Sequence, residues 1–232
     1  MYHRTNVPLY HLIIENNMTE VSMNEQMKLS EHLASPSEAS LSQISELNGL
    51  RLSPHFTLGE LCKTSYHTTD GNIPSRVAIE NLKNLCENWL EDLRYSQNTL
   101  YGDKPLDKFG DREGDIPIII TSGYRSEEVN RKCGGAKNSN HLTGCAVDIR
   151  CYGPEQMIRM AGILLDISDG TKRDLTSSRV CSRSAESMPA SLCARSTADF
   201  DELIQEKRGT TYWIHFAVRP KDNRRKILFD MR

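Results

Sequence analysis

The chain has 232 residues, enough for one sizeable domain with additional arms. Its 29 basic and 31 acidic residues give a net charge of −2, and without any basic run there is no electrostatic case for a nucleic-acid partner. Hydrophobic residues are 38 % and the mean hydropathy is −0.54, low for a chain packed along its whole length, and no stretch approaches the ~20 apolar residues that span a bilayer.

The first residues carry a partly apolar run from Leu9 to Ile14, broken by His11. A secretory core needs ~7–15 uninterrupted apolar residues, so no classical export signal is expected and export would need another route. Residues 1–49 are rich in Ser, Glu, Asn and Met and are expected to form a solvated or loosely helical arm, with one candidate amphipathic helix over Glu20 to Leu33. The folded domain is expected from residue 50 to 232. Seven cysteines are an odd count with no C-x-x-C pair, which speaks against a disulfide framework and for small buried residues in a reducing compartment.

Order is expected to begin at Leu52-Ser-Pro-His-Phe56. Thr57-Leu-Gly-Glu60 has capping-box spacing and predicts a short helix through Cys62. Pro74 and Ser75 open a longer helix, where Ile79, Leu82, Leu85, Cys86, Trp89, Leu90 and Leu93 recur at helical spacing. The Gly- and Asp-containing segment Tyr101 to Gly114 reads as a surface loop, and Ile116 to Thr121 as a buried strand with Pro117 near its start. Ser126 is placed to cap a brief helix that Gly134 and Gly135 end, and Gly144 to Arg150 reads as a strand. Gly153-Pro154 opens another helix along Met157, Ile158, Ala161, Leu164 and Leu165. Residues 167–198 are Ser-rich without a period and read as an insertion. Structure resumes at Phe200 to Glu206, followed by a strand from Tyr212 to Val218 and a last extended segment through Lys226 to Phe229. Strand and helix periods alternate without regular strand–helix–strand units, so the expected class is α+β, with a small antiparallel sheet flanked by helices.

In the strand Gly144 to Arg150, alternation puts Cys145, Val147 and Ile149 on a core face and Asp148 on the other. Cys145 therefore reads as a core residue before it reads as a nucleophile. The strand Tyr212 to Val218 repeats the logic, with Ile214, Phe216 and Val218 on one face and Trp213, His215 and Ala217 on the other. His141 lies in a polar loop at the mouth of the first strand. If the strands pair, His141, Asp148 and His215 offer two imidazoles and a carboxylate, a donor set that suits one zinc ion with a position left for water. The bland alternative pairs Asp148 with Arg150 and leaves the histidines as ordinary strand residues.

Thr121-Ser-Gly-Tyr-Arg-Ser126, Asn130, Gly134 to Asp148 and Trp213-Ile-His215 together resemble the D-alanyl-D-alanine carboxypeptidase family of zinc peptidases, whose fold is shared by vancomycin-resistance D,D-dipeptidases and the hedgehog signalling domain. The shared pattern is S-G-Y-R-S, S-x-H-x-x-G-x-A-x-D and W-x-H, in that order. The resemblance spans about residues 52 to 230 apart from the insertion. It implies zinc on His141, Asp148 and His215, with Arg125 at the substrate carbonyl or oxyanion and Ser139, Tyr212 and Trp213 lining the substrate. A salt bridge that pins its own loop is the alternative for Arg125. It also implies hydrolysis of peptidoglycan peptides at the cell wall by a monomer, in wall remodelling or phage lysis.

The family usually has an Asp or Glu three residues before the last His, and here that position is Tyr212, a poor base at neutral pH. The stretch Phe200-Asp-Glu-Leu-Ile-Gln-Glu206 is similar to F-D-x-L-I-x-E in small phage-type members, which makes Glu206 the first candidate base and Glu202 the second. Without a base, the alternative is an inactive zinc-binding fold that acts as a protein- or wall-binding module, as the hedgehog domain does.

Overall fold

A computed structural model of the protein describes residues 47–101, 115–169 and 199–232. The candidate helix at 20–33, most of the 101–114 loop and residues 170–198 of the insertion lie outside the described residues. The fold is α+β, as the alternation of periods implies.

Residues 47–49 form a helical turn that seats Leu47 and Leu50 in the core, ahead of β1 (Arg51–Ser53) and its antiparallel partner β2 (Phe56–Thr57). Thr57 caps α1 (Leu58–Leu61), its hydroxyl accepting from the Glu60 N–H at 3.3 Å. Ser75 caps α2 (Arg76–Leu85) in the same manner, accepting from the Ala78 N–H at 3.2 Å. The helix runs on through a π-helical turn (Cys86–Leu90) into α3 (Glu91–Tyr101). The wider turn keeps Cys86, Trp89, Leu90 and Leu93 all on the buried side, continuing the stripe begun by Ile79, Leu82 and Leu85.

Five strands form the main sheet: β3 (Ile120–Ser122), β4 (Ala146–Cys151), β5 (Glu202–Arg208), β6 (Thr211–Ala217) and β7 (Lys226–Met231). Their spatial order is β3-β4-β6-β5-β7, with antiparallel pairs throughout except for the parallel β5–β7 pair. The first strand is shorter than the apolar run from Ile116 suggests. Pro117 has no N–H for a ladder, and backbone pairing starts only where Ile119 accepts from the Arg150 N–H at 2.9 Å. Between β3 and β4 lies α4 (Glu127–Lys132), capped by Ser126, and between β4 and β5 lies α5 (Pro154–Ser168), which opens with proline. That helix carries regular structure to Ser168, so its C-terminal turn includes the first residues assigned from sequence to the insertion.

One face of the sheet is apolar and covered by helices. Val147, Ile149, Leu203, Ile214 and Phe216 are fully buried against the π turn, α3 and α5, through Trp89, Leu93, Met157, Met160 and Leu164. The Trp89 and Phe216 rings meet at 4.9 Å between centroids, tilted by 56°. The opposite face carries the chemistry. Its central row is Ser122, Asp148, His215, Ile204 and Leu228, each the ladder partner of the next. The adjacent row places Arg150, Trp213, Glu206 and Asp230 side by side.

Candidate metal centre

Asp148 and His215 are brought together by the β4–β6 register, since direct partners share a face. His141 arrives from a 3₁₀ turn (Asn140–Thr143) whose first N–H groups are met by Ser139, the hydroxyl accepting from the His141 N–H at 3.3 Å. The turn closes on Gly144 at φ 70°, and a Cβ there would sit 2.3 Å from the Ala78 carbonyl oxygen. Glycine is thus required twice, for the left-handed backbone and for the close approach to α2.

The His141 Nδ1 lies 2.6 Å from the Gly123 carbonyl, which can only accept, so Nδ1 carries the proton and Nε2 presents its lone pair. That Nε2 is 3.2 Å from the His215 Nδ1 and 3.3 Å from the Asp148 Oδ1, and the last two are 3.0 Å apart. Bonds of ~2.0–2.1 Å in a tetrahedron place neighbouring donors about 3.3–3.4 Å apart, so the three atoms form nearly one face of a zinc site. The donor set fits zinc in kind as well as in spacing. Among the described residues no fourth His, Cys, Asp or Glu joins this group, so a zinc ion held by these three would keep a coordination position for a reacting molecule.

The protonation states follow from the surroundings. Burial lowers the His141 pKa and outweighs the pull of Asp148, so this imidazole is neutral. Burial alone would raise the Asp148 carboxyl, but the two imidazoles beside it hold it well below the usual range. Burial likewise opposes charge on His215, yet hydrogen bonds to Asp148 and Glu202 bring its pKa up to about 9.

Arg125 sits against this cluster, its Nη2 2.5 Å from the Asp148 Oδ2 and its Nε donating to the Ser122 hydroxyl at 2.8 Å. Its loop is pinned by Asn72, whose Nδ2 donates to the Cys62 and Tyr124 carbonyls at 2.7 and 3.3 Å while its Oδ1 accepts from the Ser126 N–H at 2.7 Å. A cleft of about 160 Å³ opens alongside, bordered by Lys63, Tyr66, Ser122, Tyr124, Arg125 and Val129.

The structure brings Glu206, Trp213 and Glu202 onto the face of the three candidate ligands, and it does not bring Tyr212 there. Tyr212 is the ladder partner of Cys151 and Lys207, packs toward the core, and lies under the Lys207 ammonium at 5.7 Å. Three residues before His215 is an odd step in a regular strand, so a carboxylate at that position would point away from the centre. Glu206 stands mid-strand opposite Trp213 and is half-buried. Burial and the nearby Asp148 charge raise its pKa, with Trp213 and His215 offsetting part of the effect. Ser139 serves its turn as a cap. Cys145 is 2 % exposed and burial pushes its thiol pKa up, which makes it an inert core residue.

Asp201 went unnoticed in the sequence. It is fully buried, accepting from Arg224 Nε and Nη2 at 2.8 and 2.7 Å, from Arg219 Nη2 at 2.9 Å and from Asn140 Nδ2 at 2.8 Å. Strand parity could have found it, because Asp201 shares the core-facing alternation of Leu203, where a carboxylate must have cationic partners.

Residues 54–165 match the family model of peptidase M15, and no curated protein matches the chain. The matched segment includes Arg125, His141 and Asp148 and ends within α5, so His215 and both glutamates lie beyond it. The match supports the M15 peptidase family and, with it, a metallopeptidase.

Proposed function

We propose that this chain is a zinc-dependent peptidase of the M15 type that hydrolyses peptide bonds in peptidoglycan peptides at the cell wall. The observation that carries this reading is the triangle of His141 Nε2, Asp148 Oδ1 and His215 Nδ1, with edges of 3.2, 3.3 and 3.0 Å. Zinc held there would supply Lewis acidity, polarising a carbonyl and lowering the pKa of water toward ~7. The M15 match and the ordered motifs around Arg125, His141, Asp148 and His215 support the peptide substrate.

Glu206 is the group of this chain that accepts a proton from the attacking water and returns it to the leaving amine. Its raised pKa brings it closer to the neutral range in which a general base also works as an acid. Arg125 has its Nε and Nη2 committed to Ser122 and Asp148, which holds the guanidinium rigid beside the cluster. A fixed positive charge there favours the oxyanion that develops on the scissile carbonyl. Trp213, across from Glu206, offers an aromatic wall for the peptide.

The test compares wild type with Glu206→Gln for release of amino groups from purified peptidoglycan, with zinc content measured in both. Loss of the base is expected to cost about 10²–10⁴-fold in rate with zinc retained. An unchanged rate would remove Glu206 from this role. A zinc-replete wild type that releases nothing would leave a metal-containing binding module.

A further inference from the structure

Glu202 opens β5, and its two carboxylate oxygens have separate partners. Oε1 receives the Arg224 Nη2 at 3.0 Å and the Lys226 Nζ at 3.2 Å. Oε2 receives the Asn140 Nδ2 at 3.2 Å and lies 3.5 Å from the His215 Nε2. An ionised carboxylate is an acceptor only, so the ring nitrogen turned toward it is the one that keeps a proton. The other, Nδ1, is then the nitrogen that faces His141 and Asp148.

Glu202 and Glu206 flank His215 from opposite sides along β5. The partner of His215 on that strand is Ile204, while Glu202 stands opposite Ala217 and Glu206 opposite Trp213. Besides the His215 ring at 3.5 Å, Glu202 is engaged by three closer donors at once, and two of them are cations. Such a group is poorly suited to shuttling protons and well suited to holding a ring still. Its hold extends to the second imidazole, because Asn140 immediately precedes His141 and is itself anchored on Asp201 at 2.8 Å.

We propose that Glu202 is a positioning residue for the metal centre: it fixes the ring orientation of His215 so that Nδ1 is the ligand atom, and through Asn140 it holds the His141 turn in register with it. The inference rests on the zinc-site reading of His141, Asp148 and His215. Carboxylate partners of this kind typically contribute 10–100-fold to metal affinity. Arg224 and Lys226 belong to the same device, since their contacts with Oε1 at 3.0 and 3.2 Å turn the carboxylate so that Oε2 faces the His215 ring.

The experiment uses the full chain and zinc itself as probe. Affinity is measured by competition with a chromogenic chelator for wild type, Glu202→Ala and Glu202→Gln, where glutamine keeps an acceptor oxygen in place. The alanine variant is expected to bind zinc about 10–100-fold more weakly, with glutamine recovering most of that loss. Equal affinity of wild type and Glu202→Ala overturns the proposal, and so does a glutamine variant as weak as alanine. Independently of any variant, nitrogen NMR of the zinc-loaded wild type is expected to show His215 protonated at Nε2 and not at Nδ1, and the reverse assignment overturns it. A wild-type chain that binds no zinc removes the site reading itself, a result distinct from either of these.

Discussion

Asp148 and His215 stand directly opposite one another in the β4–β6 ladder, with the carboxylate Oδ1 3.0 Å from the imidazole Nδ1. Without an ion, that nitrogen shares a proton with the carboxylate. A metal held there would therefore compete with that proton for one site.

Zinc affinity is expected to rise with pH for this reason. His215 has its pKa raised to about 9, so at neutral pH its Nδ1 is protonated and must lose that proton before it can bind a metal. The gain should be about tenfold per pH unit through the neutral range and level off above the His215 pKa. Chelator competition across that range measures it, and a flat profile would contradict the proton competition.

Replacing His141 by alanine is expected to empty the site. Two protein donors rarely retain zinc, so the metal content of the purified chain should fall from about one per molecule to a small fraction of that. Elemental analysis of the two proteins decides it, and equal zinc in both would exclude His141 as a ligand.

The rate of hydrolysis should carry the signature of Glu206 on its acid side. Burial and the Asp148 charge raise that carboxyl, so activity should fall with decreasing pH at a value above the ordinary carboxylate range. The limb should vanish, along with most of the rate, in Glu206→Gln. A limb unchanged in that variant would belong to another group.

Gly144→Ala should damage both stability and metal binding. The residue sits at φ 70°, and a Cβ would lie 2.3 Å from the Ala78 carbonyl oxygen, so either the 3₁₀ turn or α2 must shift. Destabilisation of about 1–3 kcal/mol is expected, read from urea unfolding, with weaker zinc binding because His141 moves with the turn. Trp89→Ala, on the far side of the sheet, should cost about 3–5 kcal/mol through the cavity it leaves against Phe216.

Much of this arrangement was legible in the sequence for a simple reason: strand parity is local. Alternation alone put Asp148 and His215 on the face away from Val147, Ile149, Ile214 and Phe216, and the capping residues Thr57, Ser75 and Ser126 marked three helix starts. What was hidden depends on long-range register. By sequence a segment ends at Glu206, yet β5 continues to Arg208 and the hairpin closes at Gly209, so Glu206 stands within the strand, opposite Trp213 and on the face of His215. The parallel β5–β7 pair, which brings Lys226 to Glu202, has no hairpin signal because its strands are joined across β6. Tyr212 looked like a lost base by spacing, although it shares the core-facing parity of Ile214 and Phe216, and in the structure it packs toward the core.

The ladder contact between Asp148 and His215 spans 67 residues of sequence, and that stretch includes α5 and everything up to β6. An ion held at both ends would clasp that stretch of chain, and a clasp matters most when the chain within it is cut. Cleavage of the backbone between α5 and β5 would yield two fragments, one carrying His141 and Asp148 and the other His215. Held by the β4–β6 ladder and by an ion shared across it, the fragments of a zinc-loaded chain should migrate together under native conditions and come apart on addition of a chelator with mild denaturant, turning a severed chain into a direct gauge of how much the metal contributes to cohesion.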